Sequence, residues 1–243
     1  MSLLVDMGNT RLKWGINKNL DIVSGLPISN TKVNRNTLLQ LWQSIIPPDQ
    51  LAISCVSASR LFELVLSVAS ELWPGITIIP AKSGAKAFGI CNAYQKPEIL
   101  GVDRWLSMIA GYYNYRKALC IVDCGTAITV DIVDTSGKHL GGLISPGLRL
   151  MKEALAKGAE NLNLTTTNYP FGLATNTDAA IHNGTLSAAC GLIELVLKNQ
   201  PDTLQLLLTG GDAEIIAAHL PIPAIIDPDL VLRGLALTLS KQS

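Results

Sequence analysis

The residues able to do chemistry stand in two short runs of the same design. Leu3-Leu4-Val5-Asp6-Met7-Gly8-Asn9-Thr10 is echoed by Cys120-Ile121-Val122-Asp123-Cys124-Gly125-Thr126. In each, an apolar strand delivers an Asp, skips one residue, then turns on Gly and continues as an alternating strand. Glycine tolerates positive φ and carries no Cβ, so the backbone N–H groups of such a turn can close on phosphate oxygens. The side chains of Asn9, Thr10 and Thr126 and the charge of Lys13 suit the same oxygens. The carboxylates Asp6 and Asp123 would repel a phosphate directly, so they would work through a cation or water. Either copy alone reads as a common strand-end turn. Two copies after matching strands favour a phosphate site built by a duplicated fold, with the two loops facing across a cleft.

A third run, Gly101-Val102-Asp103-Arg104, lies where a loop becomes a helix. There Asp103 can accept a proton from a hydroxyl, and Arg104 can fork onto a carboxylate or phosphate. Helix N-terminal amides favour an anion at such a place. By itself, an Asp–Arg pair that merely starts a helix is the simpler account. The chain has no GxxxxGK[ST], no GxGxxG, no GxSxG, and no SxxK with partners for acyl transfer. P-loop, dinucleotide and acyl-transfer sites are therefore not signalled. Phosphoryl transfer asks mainly for positioning, charge neutralisation and a base for the accepting hydroxyl.

The elements that must position these groups read as an α/β chain. Leu3 to Val5 is a strand, Leu12, Trp14 and Ile16 alternate on a second, and Asp21 to Leu26 is a third. Helices are expected over Asn34 to Ile46 and Ala58 to Leu72, separated by a buried strand, Leu51 to Val56, and followed by the strand Ile76 to Ile79. Ala81 to Leu100 reads as loop and Gly101 to Arg116 as helix. A second set follows: strands at Leu119 to Val122, around Ile128 to Ile132 and at His139 to Ile144, then helices at Leu148 to Lys157 and Thr177 to Lys198. The strand Leu204 to Leu208 and a final helix capped by Asp227 with Pro228 as its first residue complete the pattern.

Four motifs in order carry a family resemblance. Asp6-Met7-Gly8-Asn9-Thr10, Gly101-Val102-Asp103-Arg104, Asp123-Cys124-Gly125-Thr126-Ala127-Ile128-Thr129-Val130-Asp131 and Gly141-Gly142-Leu143-Ile144-Ser145-Pro146-Gly147 together resemble the type III pantothenate kinases. The likeness runs from about Leu3 to Gly211. It implies two ribonuclease-H-like domains of duplicated topology flanking a nucleotide cleft, divided here as residues 1–115 and 116–243, of the acetate/sugar kinase, heat-shock chaperone and actin superfamily. It implies a homodimer that uses ATP with Mg2+ to phosphorylate the primary hydroxyl of pantothenate, the first step towards coenzyme A. Matched position by position, Asp6, Met7, Gly8, Asn9, Thr10, Arg11, Leu12 and Lys13 fall on the family's ATP phosphate loop, and Thr126 on a second nucleotide contact. Asp103 falls on the catalytic base. Gly101, Val102, Asp103 and Arg104 fall on the pantothenate-binding run, with Arg104 suited to its carboxylate. Tyr94 matches an aromatic of the pantothenate pocket, and Thr177 a threonine that reaches pantothenate from the partner subunit. Asp123 matches the position tied to a monovalent cation, K+ or NH4+.

Bland alternatives stand beside several of these. Tyr94 reads equally as a loop aromatic, and Thr177 as a helix N-cap. His182 and His219, within apolar helical patterns, read as structural residues. Trp14, Trp42, Trp73 and Trp105 read as core, with Trp105 also able to wall a pocket. Gly210-Gly211 suits either an approach to the nucleotide or a plain turn.

Composition bounds the remaining classes. The chain has 243 residues, 48% apolar and 16% charged, enough to bury a sizeable core. Lys plus Arg and Asp plus Glu are each 19, so the formal charge of +0 argues against nucleic acid or an anionic membrane as partner. The five cysteines show no CxxC spacing and read as reduced and mostly buried. No signal peptide or membrane span is expected, which makes the protein cytoplasmic. The rival functions are a Bvg-accessory-factor-like regulator of gene expression, or a phosphatase or different kinase of the same superfamily.

Overall fold

In the computed structural model, which describes residues 1–56, 59–158, 169–200 and 203–240, the first apolar run forms β1 (Ser2–Met7). It turns through Gly8 into β2 (Arg11–Lys18), followed by β3 (Asp21–Ser24) and the short β4 (Ile28–Ser29). Then come α1 (Arg35–Trp42), β5 (Gln50–Cys55), α2 (Ser59–Leu72) and β6 (Thr77–Pro80). The stretch from Ala81 to Leu100, expected as loop, instead holds the hairpin β7 (Lys86–Ala87) and β8 (Ile90–Cys91) and a 3-10 turn at Pro97–Ile99, before α3 (Val102–Tyr115).

The second half repeats the plan. β9 (Leu119–Cys124), β10 (Ala127–Val133) and β11 (His139–Pro146) form a meander, followed by α4 (Leu148–Gly158) and α5 (Thr177–Lys198). β12 (Gln205–Thr209), α6 (Ala213–Ala217), β13 (Ile225–Ile226) and α7 (Leu230–Ser240) complete the chain. Among the described residues the first sheet has the order β3-β2-β1-β5-β6, with β4 on β2, and the second β11-β10-β9-β12-β13. In both, the meander pairs are antiparallel and the last two strands join in parallel. This is the duplication that the sequence repeat implies, in the ribonuclease-H-like topology that the family resemblance implies.

The chain divides into two compact units, Met1–Arg116 together with the chain from Asp229 on, and Lys117–Pro228. α7, which chain order alone assigns to the second half, thus packs in the first unit. Alternation along β1 and β5 sends Leu3, Val5, Met7, Leu51 and Ile53 to one face of the first sheet, against α1 and α2. There Trp42 stacks on Trp73 at 6.2 Å and meets Trp14 edge-on at 6.5 Å. Leu4 and Ala52 point to the other face, where Leu106 of α3 and Val231, Leu232 and Leu235 of α7 cover them. Trp105 is buried, in keeping with a core role. In the second unit Cys120, Val122, Val130, Ile132, Leu206 and Leu208 meet Leu186, Ala189 and Ile193 of α5 and Ile216 of α6. α5 is long and apolar enough to cross a membrane by length and composition, and its residues Leu186, Ala189 and Ile193 are buried in this core. All five cysteines are free thiols, with Cys120, Cys124 and Cys190 buried and Cys55 and Cys91 half-buried.

Element ends differ from expectation for local reasons. α1 stops at Trp42 rather than Ile46, because the approach to Pro47-Pro48 disfavours helix and a turn bond from Ile45 N–H to the Trp42 carbonyl replaces the ladder. β3 ends at Ser24, one residue after which the Gly25 N–H still donates to the Trp14 carbonyl at 2.9 Å and a Cβ would sit 2.1 Å from the indole. The last helix begins at Leu230, not at Pro228. Asp227 is still engaged by β12, donating its N–H to the Leu208 carbonyl at 2.9 Å, and Asp229 accepts the first helical bond from Arg233. The expected start of the second helix at Ala58 lies outside the described residues.

The α3–α7 crossing depends on Gly234, where a Cβ would meet the Leu106 carbonyl oxygen at 2.3 Å. Gly234→Ala is therefore expected to force the helices apart and lower unfolding free energy by about 1–3 kcal/mol. A urea titration reads this, and an unchanged midpoint would contradict the close crossing.

Candidate functional site

In the first unit, Asp6 closes β1 and is 7% exposed. Register sets it abreast of Lys13 on β2 and of Ser54 on β5. The hairpin between β1 and β2 is held by its own backbone. The Gly8 N–H donates to the Arg11 carbonyl at 3.1 Å, and Asn30 braces the turn by donating its side-chain amide to the Gly8 carbonyl and its N–H to the Thr10 carbonyl, both at 2.9 Å. Met7 and Leu12 send their side chains into the core beneath. Asn9, Thr10, Arg11 and Lys13 are the polar side chains that this hairpin carries beyond Asp6. Asn30 is a member of this site that sequence reading missed, because nothing in its local pattern distinguishes it from a loop asparagine.

The acceptor run starts α3. Asp103 lies in the first turn, and its Oδ1 accepts the Arg104 N–H at 2.8 Å. Gly101 is the residue before the helix, where a Cβ would come within 2.7 Å of that same oxygen. Val102 turns into the core between the first sheet and α7. Arg104 is 6% exposed, and a buried guanidinium needs partners for its donors. It donates from Nη1 to the Tyr94 hydroxyl at 2.9 Å, with the guanidinium carbon 5.7 Å from the ring centre. The fold thus brings Tyr94, Asp103 and Arg104 together. The segment bearing Tyr94 is ordered by Asn92, which accepts the Tyr94 N–H and donates to the Gly84 and Pro97 carbonyls. Chemically, this is a cationic fork steadied by a phenol, next to a carboxylate at a helix N-terminus.

In the second unit Asp123 stands abreast of Thr129 on β10 and Thr209 on β12. Backbone closes tightly around it. A Cβ on Gly125 would lie 3.1 Å from Asp123 Oδ1, and one on Gly210 only 2.5 Å from it. Gly210 also takes φ +96°, which favours glycine on its own. The Asp212 N–H donates to the Cys124 carbonyl at 3.0 Å. Gly147 docks on the Thr126 turn, donating to the Thr126 carbonyl at 2.9 Å, with no room for a Cβ beside the Gly125 carbonyl. The fourth motif therefore shapes the turn that presents Thr126.

The nearby thiols stay protonated. Burial pushes the Cys124 thiol far up, helped by the Asp123 and Asp212 charges, and burial with the Asp131 charge raises Cys120 to about 12. Asp131 itself forms a buried pair with His139, whose Nε2 lies 2.9 Å from the carboxylate. Nothing in the sequence signals that pair.

Thr177 lies apart from the strand-end turn. Asn176 rather than Thr177 caps α5, accepting the Ala179 N–H on its side chain at 2.9 Å. Thr177 is then the first helical residue and exposed, lining a groove of about 960 Å³ with Pro146, Met151, Leu155, Ile181 and Gly184. His182 accepts from Lys152 Nζ at 3.1 Å and meets Tyr169 edge-on, and His219 packs on Phe171 at 4.5 Å. His182 lies within α5 as expected, whereas His219 falls in the turn beyond α6, its Nδ1 2.8 Å from the Ile215 carbonyl.

Comparison with known proteins extends this picture. The type III pantothenate kinase family model matches residues 2–199. The chain is 38% identical to the type III pantothenate kinase of Nitrosococcus oceani, covering 97% of this chain and 92% of that one. It is 33% identical to that of Alcanivorax borkumensis across 100% of both. Among solved structures, a Campylobacter jejuni protein described as a Baf family transcriptional activator aligns with TM-score 0.61 at 23% identity, over 99% and 98% of the two chains. The ethanolamine utilization protein EutJ of Carboxydothermus hydrogenoformans aligns with TM-score 0.55 at 14% identity, over 97% and 88%. At such identities the structures share the fold alone.

Burial, then the Lys152 and His219 charges, hold the His182 imidazole below its ordinary value of 6.5. The folded protein thus prefers it neutral, while the unfolded chain binds a proton near pH 6.5. Its contribution to stability is complete above that pH and is lost as pH falls through the lowered folded value. His182→Gln is expected to flatten the fall in urea midpoint between pH 7 and pH 5. Parallel falls in wild type and variant would contradict this.

Proposed function

The chain belongs to the type III pantothenate kinase family, and from that premise we propose how its own residues carry out the reaction. The protein is a kinase that phosphorylates pantothenate with ATP in coenzyme A biosynthesis. In our reading the Asp6 to Lys13 segment holds the ATP phosphates, with Lys13 and the turn amides meeting phosphate oxygens and Thr126 making a second nucleotide contact. The pantothenate carboxylate is taken by Arg104, steadied by Tyr94, with Gly101 and Val102 shaping the approach. Asp103 accepts the proton of the pantothenate primary hydroxyl as its oxygen bonds to the γ-phosphorus. The bond from that phosphorus to the bridging oxygen breaks, and ADP leaves with the electron pair. The observation that carries the acceptor assignment is the buried Arg104 bound to Tyr94 beside Asp103.

In each unit the strand-end donors are oxygens, the Asp6 carboxylate with the enclosed Ser54 hydroxyl in the first and the Asp123 carboxylate with the enclosed Thr209 hydroxyl in the second. That set fits a hard, hydrated cation. Among the described residues no three His, Cys, Asp or Glu side chains converge to cage a metal. Mg2+ brought with ATP would neutralise phosphate charge, with Asp6 acting on its water shell. Asp123, in its glycine-walled cradle, would hold the monovalent cation, K+ or NH4+.

The homodimer is part of the same proposal. Leu155 of α4 is an exposed apolar side chain lining the groove that bears Thr177, and Leu140, Leu143 and Ile144 of β11 are also exposed, apolar surface suited to a second copy. Thr177 would then reach pantothenate in the partner, and fully active isolated monomers would contradict this. The protein would work in the cytoplasm. The regulator reading has only the fold similarity behind it.

Asp103→Asn is expected to keep its melting temperature and ATP affinity while losing about 10²–10⁴-fold in turnover. Mass-spectrometric detection of phosphopantothenate, run in potassium and sodium buffers, reads both this and the cation at Asp123. Near-normal turnover in the variant would sink the base assignment, and equal wild-type rates in the two buffers would sink the cation.

A further inference from the structure

Among the described residues three buried hydroxyls, those of Ser54, Ser107 and Thr209, have no hydrogen-bond partner, and two of them stand at strand ends. Ser54, near the end of β5, is 0% exposed, and Thr209, at the end of β12, is 1% exposed. Neither hydroxyl has a hydrogen-bond partner among the described residues. Each stands abreast of a strand-end Asp on the neighbouring parallel strand, Ser54 beside Asp6 and Thr209 beside Asp123. Partners in register carry their side chains on one face. The rows therefore read Lys13–Asp6–Ser54 in the first sheet and Thr129–Asp123–Thr209 in the second.

Equally enclosed positions on these strands are filled by Leu, Ile and Ala. A hydroxyl stripped of water and left without a partner destabilises a fold, and Ala or Val would avoid that cost. Here the cost is incurred twice, at equivalent positions of two separate sheets. Both positions are carboxyl ends of parallel strands, where open α/β sheets bind ligands. Beyond Thr209 the chain can continue only through Gly210, whose missing Cβ leaves Asp123 its room. That turn keeps the hydroxyl and the carboxylate side by side.

We propose that Ser54 and Thr209 are positioning residues for the nucleotide. Each hydroxyl donates to an oxygen that its neighbouring Asp also holds in place, either a water of the hydrated cation or a phosphate oxygen. This rests on the kinase reading above and adds to it the residues that fix the cation–phosphate group in each sheet.

The test compares wild type with Ser54→Ala, Thr209→Val and the hydroxyl-preserving Thr209→Ser. Melting temperature is measured without ligand, with metal-free ATP and with Mg-ATP, and kcat and KM are measured with pantothenate. The expected result for Ser54→Ala and Thr209→Val is a ligand-free melting temperature equal to or above wild type. Mg-ATP should stabilise them less, kcat should fall roughly tenfold each, and the KM for pantothenate should hold. Thr209→Ser should recover kcat to within about twofold. A deficit with Mg-ATP alone assigns the oxygen to the cation's water, and a deficit with both ligands assigns it to phosphate. Unchanged kcat and unchanged Mg-ATP stabilisation would overturn the proposal. So would a lower ligand-free melting temperature or loss of folding, either of which makes the hydroxyl structural. If wild type is stabilised by Mg-ATP but does not phosphorylate pantothenate, the kinase reading fails while the stabilisation arms still decide this one.

Discussion

Close passage of backbone around a strand-end carboxylate is the constraint on which the functional end of the second sheet depends. Gly125 and Gly210 wall Asp123 at distances a side chain would close, and Gly147 lies against the Thr126 turn with equal intimacy. Larger residues at any of the three would push the turn open and carry Thr126 away from where Asp123 points. The first sheet meets the same requirement by different means. There Asn30 ties the Gly8 turn through two hydrogen bonds, while Met7 and Leu12 anchor its strands in the core. In both sheets the hydrophobic interior fixes where the strands end, and small or polar residues at those ends leave room for a charged ligand.

The acceptor side follows another logic. A guanidinium taken out of water is unfavourable unless its donors are answered, so Arg104 comes with Tyr94 already against it. In the proposed mechanism this fork, steadied by the Tyr94 hydroxyl, would receive the pantothenate carboxylate. Asp103 gains its place from the helix start, where Gly101 keeps clear of its carboxylate. In the proposed mechanism, selectivity for an acid-bearing alcohol and the base for that alcohol would come from adjacent residues on one helix.

Much of this was legible in the sequence because it is local. The Asp-x-Gly repeat, the alternation along β2 and β10, and the Gly101-Val102-Asp103-Arg104 run each depend on residues a few positions apart. What was hidden depends on distant chain segments. The Arg104–Tyr94 contact needs the β7–β8 hairpin and the 3-10 turn that follow no clear period. The return of α7 to the first unit rests on apolar residues that would fit either core. Ser54 and Thr209 look like ordinary strand residues until parallel register sets them beside Asp6 and Asp123. At the α5 start, Asn176 and Thr177 both carry capping side chains, and only geometry assigns the cap to Asn176.

The central claim is that the strand-end carboxylates act on the nucleotide through a cation and not by direct contact. Calorimetric titration of ATP, with and without Mg2+, into wild type and Asp6→Asn tests it most directly. The account expects the variant to bind Mg-ATP at least about tenfold more weakly, while metal-free ATP binds as well as or better than to wild type, because a repelling charge is gone. Equal Mg-ATP affinities for the two proteins, or equal losses with and without Mg2+, would contradict it.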